Sequence, residues 1–135
     1  MSKYVIAYAA TAIAFFAIDI VWLTQIAQRF YYERLGDMLL EKPNMVAAAL
    51  FYATYVAGIV IFAVLPGIRS GSVLTALGYG ALFGFFAYAT YDMTNYATLK
   101  NWPLEIVIVD IAWGVFLTGI AATLGYLGTQ FLSNS

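Results

Sequence analysis

The sequence predicts an all-α integral membrane protein, a four-transmembrane-helix up-down bundle, and three observations carry that prediction. Composition is the first: 64 % of residues are hydrophobic and 10 % charged, against roughly 45–50 % apolar and about 25 % charged in a soluble domain. With 6 Lys and Arg and 7 Asp and Glu in 135 residues, there are too few charges to coat a water-facing surface. These counts exclude a cytosolic domain, a disordered tail and, at a net charge of −1, a basic nucleic-acid binder. The absence of Cys and His excludes disulfides, thiol chemistry, haem ligation by His and nearly every zinc or copper site. The second observation is that apolar residues fall in long runs, and the third is that turn and cap residues separate those runs.

A spanning helix needs about 20 mainly apolar residues to cross roughly 30 Å of hydrocarbon. Residues 4–28, 45–65, 73–97 and 103–132 meet that requirement. The first run is too long for a cleavable signal peptide and carries Asp19. Pro66-Gly67 is expected to close the second span, and Ser70-Gly71-Ser72 offers a turn and a cap for the third. Pro103 suits a first helical position, with Glu105 placed to complement the helix dipole. The fourth span exceeds the length required and is expected to tilt or project from the bilayer. Residues 1–135 therefore read as one bundle with both termini on one side and no separate soluble domain.

Between spans one and two, residues 29–42 carry Arg29, Glu33, Arg34, Asp37, Glu41 and Lys42. Tyr31, Leu35, Met38 and Leu39 recur at helical spacing, with Glu33, Asp37 and Glu41 on another stripe. This suits a short amphipathic helix on the headgroups. Gly36 weakens that helix by about 1 kcal/mol relative to Ala, and a solvated loop with aromatic anchors is the plainer alternative. Arg29, Arg34, Lys42 and Lys100 lie on the side of loops one and three, and Lys3 and Arg69 on the other. The positive-inside rule then favours loops one and three in the cytoplasm.

Only Asp19, Asp92 and Asp110 lie well inside the apolar runs. At about 1.5 Å per residue they sit roughly 13, 8 and 10 Å from the nearer ends of their spans. In an up-down-up-down bundle those ends share a side, so the three carboxylates converge in one half of the bilayer. An acidic residue at the centre of a span costs about 2.5–3.5 kcal/mol on insertion scales and faces the bundle interior or water. Carboxylates gathered in a low dielectric do not all stay ionised, which suits proton exchange, cation binding or acid–base chemistry.

The neighbours are polar and aromatic. Tyr88, Tyr91, Asp92 and Asn95 form a stripe in span three, with Thr94 and Thr98 nearby. Asp19–Trp22 and Asp110–Trp113 share the spacing Asp-x-x-Trp, which puts carboxylate and indole on one helix face. An indole N–H can bond a carboxylate, and its ring can stack on a flat or cationic ligand. Because the two spans run in opposite directions, the tryptophans are expected to bracket the carboxylates from above and below. The plain alternative is that buried Asp, Asn, Thr and Tyr glue helices together through hydrogen bonds worth about 0.6 kcal/mol each, with Trp22 and Trp113 as core fillers. Trp102, beside Pro103, reads as an interfacial belt residue. Gly80-x-x-x-Gly84 with nearby Gly78, and Gly114, Gly119 and Gly125, point to close packing of spans three and four; the pattern is also compatible with a homodimer.

The motifs Asp19-Ile20-Val21-Trp22-Leu23, Tyr91-Asp92-Met93-Thr94-Asn95-Tyr96-Ala97-Thr98 and, beyond Trp102, Asp110-Ile111-Ala112-Trp113-Gly114 resemble a family of small bacterial membrane proteins catalogued as domain of unknown function 2177. The resemblance spans nearly the whole chain. It implies a multi-pass four-helix protein of the bacterial inner membrane and carries no catalytic role.

Three functions fit these residues. The leading one is a binding or transport module in which the aspartates hold a small cationic or amphipathic solute or exchange it for protons. Its partners would be membrane lipids and a second copy of the chain, with no nucleic acid. An enzyme on a lipid-like substrate is the second. It would use one aspartate as base and another as acid, or a divalent ion on Asp19, Asp92, Asp110 and Asn95. Against it stand the lack of an Asp-rich repeat, a His-activated nucleophile or a phosphate-binding Gly loop. An accessory subunit of a membrane complex is the third. The sequence names no cofactor and no confident metal ligand.

Overall fold

The computed structural model describes residues 2–39 and 44–133, with Asp37 described by its backbone alone. Four helices are long and apolar enough to cross a membrane: α1 (Lys3–Leu35), α2 (Met45–Ser70), α3 (Val73–Thr98) and α4 (Leu104–Ser133). Among the described residues there is no strand. Side-chain caps start three of the helices. Ser2 Oγ accepts from the Tyr4 N–H at 3.1 Å, Asn44 Oδ1 from Ala47 at 3.0 Å and Ser72 Oγ from Thr75 at 3.3 Å, each satisfying a donor that the helix leaves unpaired. Helix α4 begins just after Pro103, whose carbonyl accepts from the Val107 N–H at 3.4 Å, and Glu105 lies in its first turn.

The second span does not end where its proline suggested. Helix α2 runs through Pro66 to Ser70 because a π-helical turn, Val60–Val64, precedes the proline. Leu65 N–H bonds the Val60 carbonyl, five residues back, so the helix is wide just where the proline ring would crowd a carbonyl and where its N–H is missing. Pro66 thus sits at the start of a resumed α-helix, a position it favours. Gly71 ends the helix in the left-handed region (φ 66°, ψ 28°). Ser72 N–H then returns to the Gly67 carbonyl at 3.1 Å and Gly71 N–H to Ile68 at 3.2 Å, which are the two bonds of a Schellman cap.

The first span is also longer than expected. The segment read as a separate amphipathic helix is helical to Leu35, but it continues α1 through a second π turn, Leu23–Ala27. Gly36 (φ 46°) breaks it, and a short 3-10 turn, Gly36–Met38, follows. Tyr31 and Leu35 of the apolar stripe face inward, whereas Met38 and Leu39 are exposed. Glu41 and Lys42 lie outside the described residues.

Small residues decide the packing of α3 on α4. A Cβ on Gly84 would run into the Gly114 carbonyl and come within 2.8 Å of Thr118, and one on Gly80 would come within 2.7 Å of the Ala122 methyl. The two backbones are therefore in near contact, as small residues at helix interfaces permit. Gly78, by contrast, faces open space. Helix α1 packs along α4, where a Cβ on Gly125 would overlap Thr11. Helix α2 lies against α3 through its C-terminal part, Val60 to Ser70. The core between them is built on Phe15, Ile59, Val64 and Leu117, all fully buried.

Candidate functional site

The three aspartates do come within electrostatic reach of one another, Asp110 being the member shared by both others. Their surroundings differ sharply. Asp19, 7 % exposed, is held by two donors: Tyr52 of α2 donates its hydroxyl to Oδ2 at 2.9 Å, and Trp113 of α4 directs its indole N–H to Oδ1 at 3.4 Å. One carboxylate therefore ties α1 to both neighbours. Asp110 is half-buried and accepts the Tyr31 hydroxyl on Oδ1 at 2.7 Å.

Asp92 is fully buried, and neither of its oxygens has a hydrogen-bond donor among the described residues. It faces Asp110 across the α3–α4 seam, an acceptor set against an acceptor. Such a contact is favourable only with a proton or another positive centre between the oxygens.

The tryptophans do not bracket the carboxylates. Trp22 and Trp113 stack face to face, with ring centroids 4.3 Å apart and planes 11° from parallel. Opposite chain directions bring the two Asp-x-x-Trp indoles to one level, where one face of each ring covers the other. The expected indole–carboxylate bond exists but crosses between helices, from Trp113 to Asp19.

Within the α3 stripe, Tyr88 is half-buried with its ring over Gly114, where any Cβ would overlap it. Tyr91 is more exposed and meets Trp102 edge-on at 5.9 Å. Asn95 is half-buried one turn further on. Thr94 is not brought into the cluster. It is exposed, and its hydroxyl donates to the Thr90 and Tyr91 carbonyls of its own helix. Trp102 is no belt residue either. It is buried with Leu35, Ile106 and Val107 in a second small core that closes this end of the bundle. Arg34 spans the same end, donating to Glu105 at 3.0 Å while lying 3.9 Å from the Phe30 ring centroid.

Two residues in the cluster escaped the sequence reading. Tyr52 lies in an apolar run whose azimuth nothing local marks. Tyr31 was assigned to a headgroup stripe, and the π turn explains why that failed. In a regular helix Tyr31 would point about 120° away from Asp19; one extra residue in the turn takes back about 100°. The two side chains then share a face toward α4, and Tyr31 meets Trp22 edge-on at 6.4 Å.

A cleft of about 350 Å³, lined by Phe51, Ala87, Tyr88, Tyr91 and Asp110, opens between α2 and α3. Among the described residues Asp110 supplies its one carboxylate. Asp92, with no exposed surface of its own, reaches the cleft only through Asp110. The divalent-ion arrangement does not form: among the described residues no group of three or more carboxylates is placed to hold a metal. Asp19 is already engaged by Tyr52 and Trp113.

Residues 4–127 match the sequence profile of the family described as predicted membrane protein, domain of unknown function 2177. The chain belongs to that family. No curated protein and no solved structure matches it. As a member of the 2177 family with four candidate spans, it is a multi-pass membrane protein.

Proposed function

We propose that the chain is a binding or transport module that takes up a small cationic, amphipathic solute and exchanges it for protons at the Asp92–Asp110 pair. On this reading residues 1–135 act as one bundle in the bacterial inner membrane, with loops one and three cytoplasmic. Asp92 carries the reading. A carboxylate that serves as helix glue makes the bonds that glue requires, as Asp19 does with Tyr52 and Trp113. Asp92 has no donor among the described residues while fully buried, and its polar neighbour is another carboxylate, Asp110. Buried unpaired groups cost about 1–3 kcal/mol, and more when charged, so a purely structural role leaves that penalty unexplained. A mobile positive centre, proton or ligand cation, removes it, and the adjoining cleft gives that centre a place to arrive.

The groups facing the pair are Asp19 and Tyr31 from α1 and Tyr88 and Tyr91 from α3. None of these four is a cation at any pH. Protons and ligand therefore compete for the same two carboxylates, and affinity rises with pH. The test is calorimetry of the purified protein with tetraethylammonium and tetraphenylphosphonium in weak buffer, with released protons read by an indicator dye. Binding that strengthens with pH, releases protons and falls about tenfold in Asp110→Asn and Asp92→Asn is expected. No binding of either cation from pH 5 to 9, or binding indifferent to both substitutions, overturns the proposal.

A further inference from the structure

The walls of the cleft narrow the ligand further, on the reading that the Asp92–Asp110 pair binds cations. Three of the five lining residues are aromatic, Phe51, Tyr88 and Tyr91, around a single carboxylate on Asp110. A compact, strongly hydrated cation such as K⁺ needs several oxygen ligands in place of its water. A quaternary ammonium has no N–H donor and a tertiary one has a single N–H that one carboxylate can accept, so both favour ring faces and one counter-charge. Among the described residues no Lys or Arg lines the cleft, so the phosphate of a phospholipid headgroup would meet Asp110 without a counter-ion from them.

Geometry also indicates the direction of approach. Phe51 and Asp110 each lie roughly 9 Å along their helices from this end of the bundle, and Tyr91 about 10 Å. Beyond them the end is closed by the buried Leu35–Trp102–Ile106–Val107 core and by the Arg34–Glu105 ion pair. Phe51 and Tyr91 are about half exposed, at 51 % and 55 %, on the outer faces of α2 and α3. Helix α2 meets α3 mainly through Val60–Ser70, and its contacts run up to Tyr55, which stacks on Phe83 and meets Tyr88 edge-on, so Phe51, one turn beyond, stands at the open end of that seam. The mouth of the cleft therefore faces sideways, at hydrocarbon depth, and an apolar substituent on the ligand stays in the lipid.

We propose that the cleft binds a quaternary or tertiary alkylammonium bearing a single apolar chain, admitted laterally from the bilayer between α2 and α3. The test is equilibrium binding of radiolabelled dodecyltrimethylammonium to the full chain in phosphatidylglycerol nanodiscs, with Asp110→Asn nanodiscs giving the background. Saturable binding is expected, about tenfold tighter than tetramethylammonium and not displaced by 100 mM K⁺. Phe51→Ala should weaken it about fivefold. Phe51→Leu, which keeps bulk without the ring, should do nearly the same. If K⁺ or tetramethylammonium competes as well as the long-chain probe, or both Phe51 variants bind it normally, the alkylammonium assignment falls and the cation site survives. If phosphatidylcholine nanodiscs abolish probe binding, the occupant is a phospholipid headgroup and the assignment likewise falls. If no cation binds, both proposals fall together.

Discussion

Asp19 and Asp92 make the most instructive comparison in the molecule. They are the same residue type, both buried, in one cluster, and each lies within electrostatic reach of Asp110. Asp19 is saturated by a tyrosine from α2 and an indole from α4, whereas Asp92 has no donor among the described residues. On the proposed reading, Asp19 is a joint and Asp92 a reactive centre. The presence of donors, rather than depth or burial, tells the two apart.

The largest expected effect removes the scaffold on which both depend. Gly114→Leu drives a side chain into the Tyr88 ring and should destabilise the bundle by about 3 kcal/mol. Gly78→Leu, into open space, should change stability by less than about 0.5 kcal/mol. Denaturation in mixed micelles separates the two, and equal effects would mean that the α3–α4 seam is looser than described.

Asp19→Ala comes next. It strands the Tyr52 hydroxyl and the Trp113 indole, and the loss should be about 2 kcal/mol in the same assay. Asp92→Asn should move the other way, neutral or stabilising by about 1 kcal/mol, because an unpaired acceptor becomes a group that can donate to Asp110. A stability loss in Asp92→Asn matching that of Asp19→Ala would erase the distinction between joint and reactive centre.

Tyr31→Phe and Tyr52→Phe give the smallest and most discriminating pair. Each removes one bond to a carboxylate, for about 0.6 kcal/mol of stability. Only Tyr31→Phe, which frees Asp110, should alter tetraethylammonium affinity in a calorimetric titration. A change of equal size in Tyr52→Phe would make Asp19 part of the binding centre.

Much of this architecture is legible without coordinates because it rests on local quantities. The spans follow from runs of apolar residues, the Ser72 cap and Gly71 turn from residue chemistry, and the α3–α4 contact from small residues such as Gly80 and Gly84. The convergence of Asp19, Asp92 and Asp110 follows from counting along antiparallel helices. What escaped has a common cause. Two π turns each insert a residue without a local signature, so Pro66 failed to stop α2 and Tyr31 turned to a face that regular periodicity denies it. Trp102 looked like a belt residue because its neighbour Pro103 marks a helix start, yet its burial depends on Leu35 from a distant part of the chain.

Composition and spacing by themselves determined that this chain crosses a membrane four times and carries three acids at a shared level, since hydropathy and helical rise are properties of contiguous residues. Which acid is bonded, which is bare and where a cleft opens were decided by the tertiary structure alone. Those depend on the rotation of each helix about its axis and on donors brought from residues 33 to 94 positions away. Helix rotation is settled only when the helices pack.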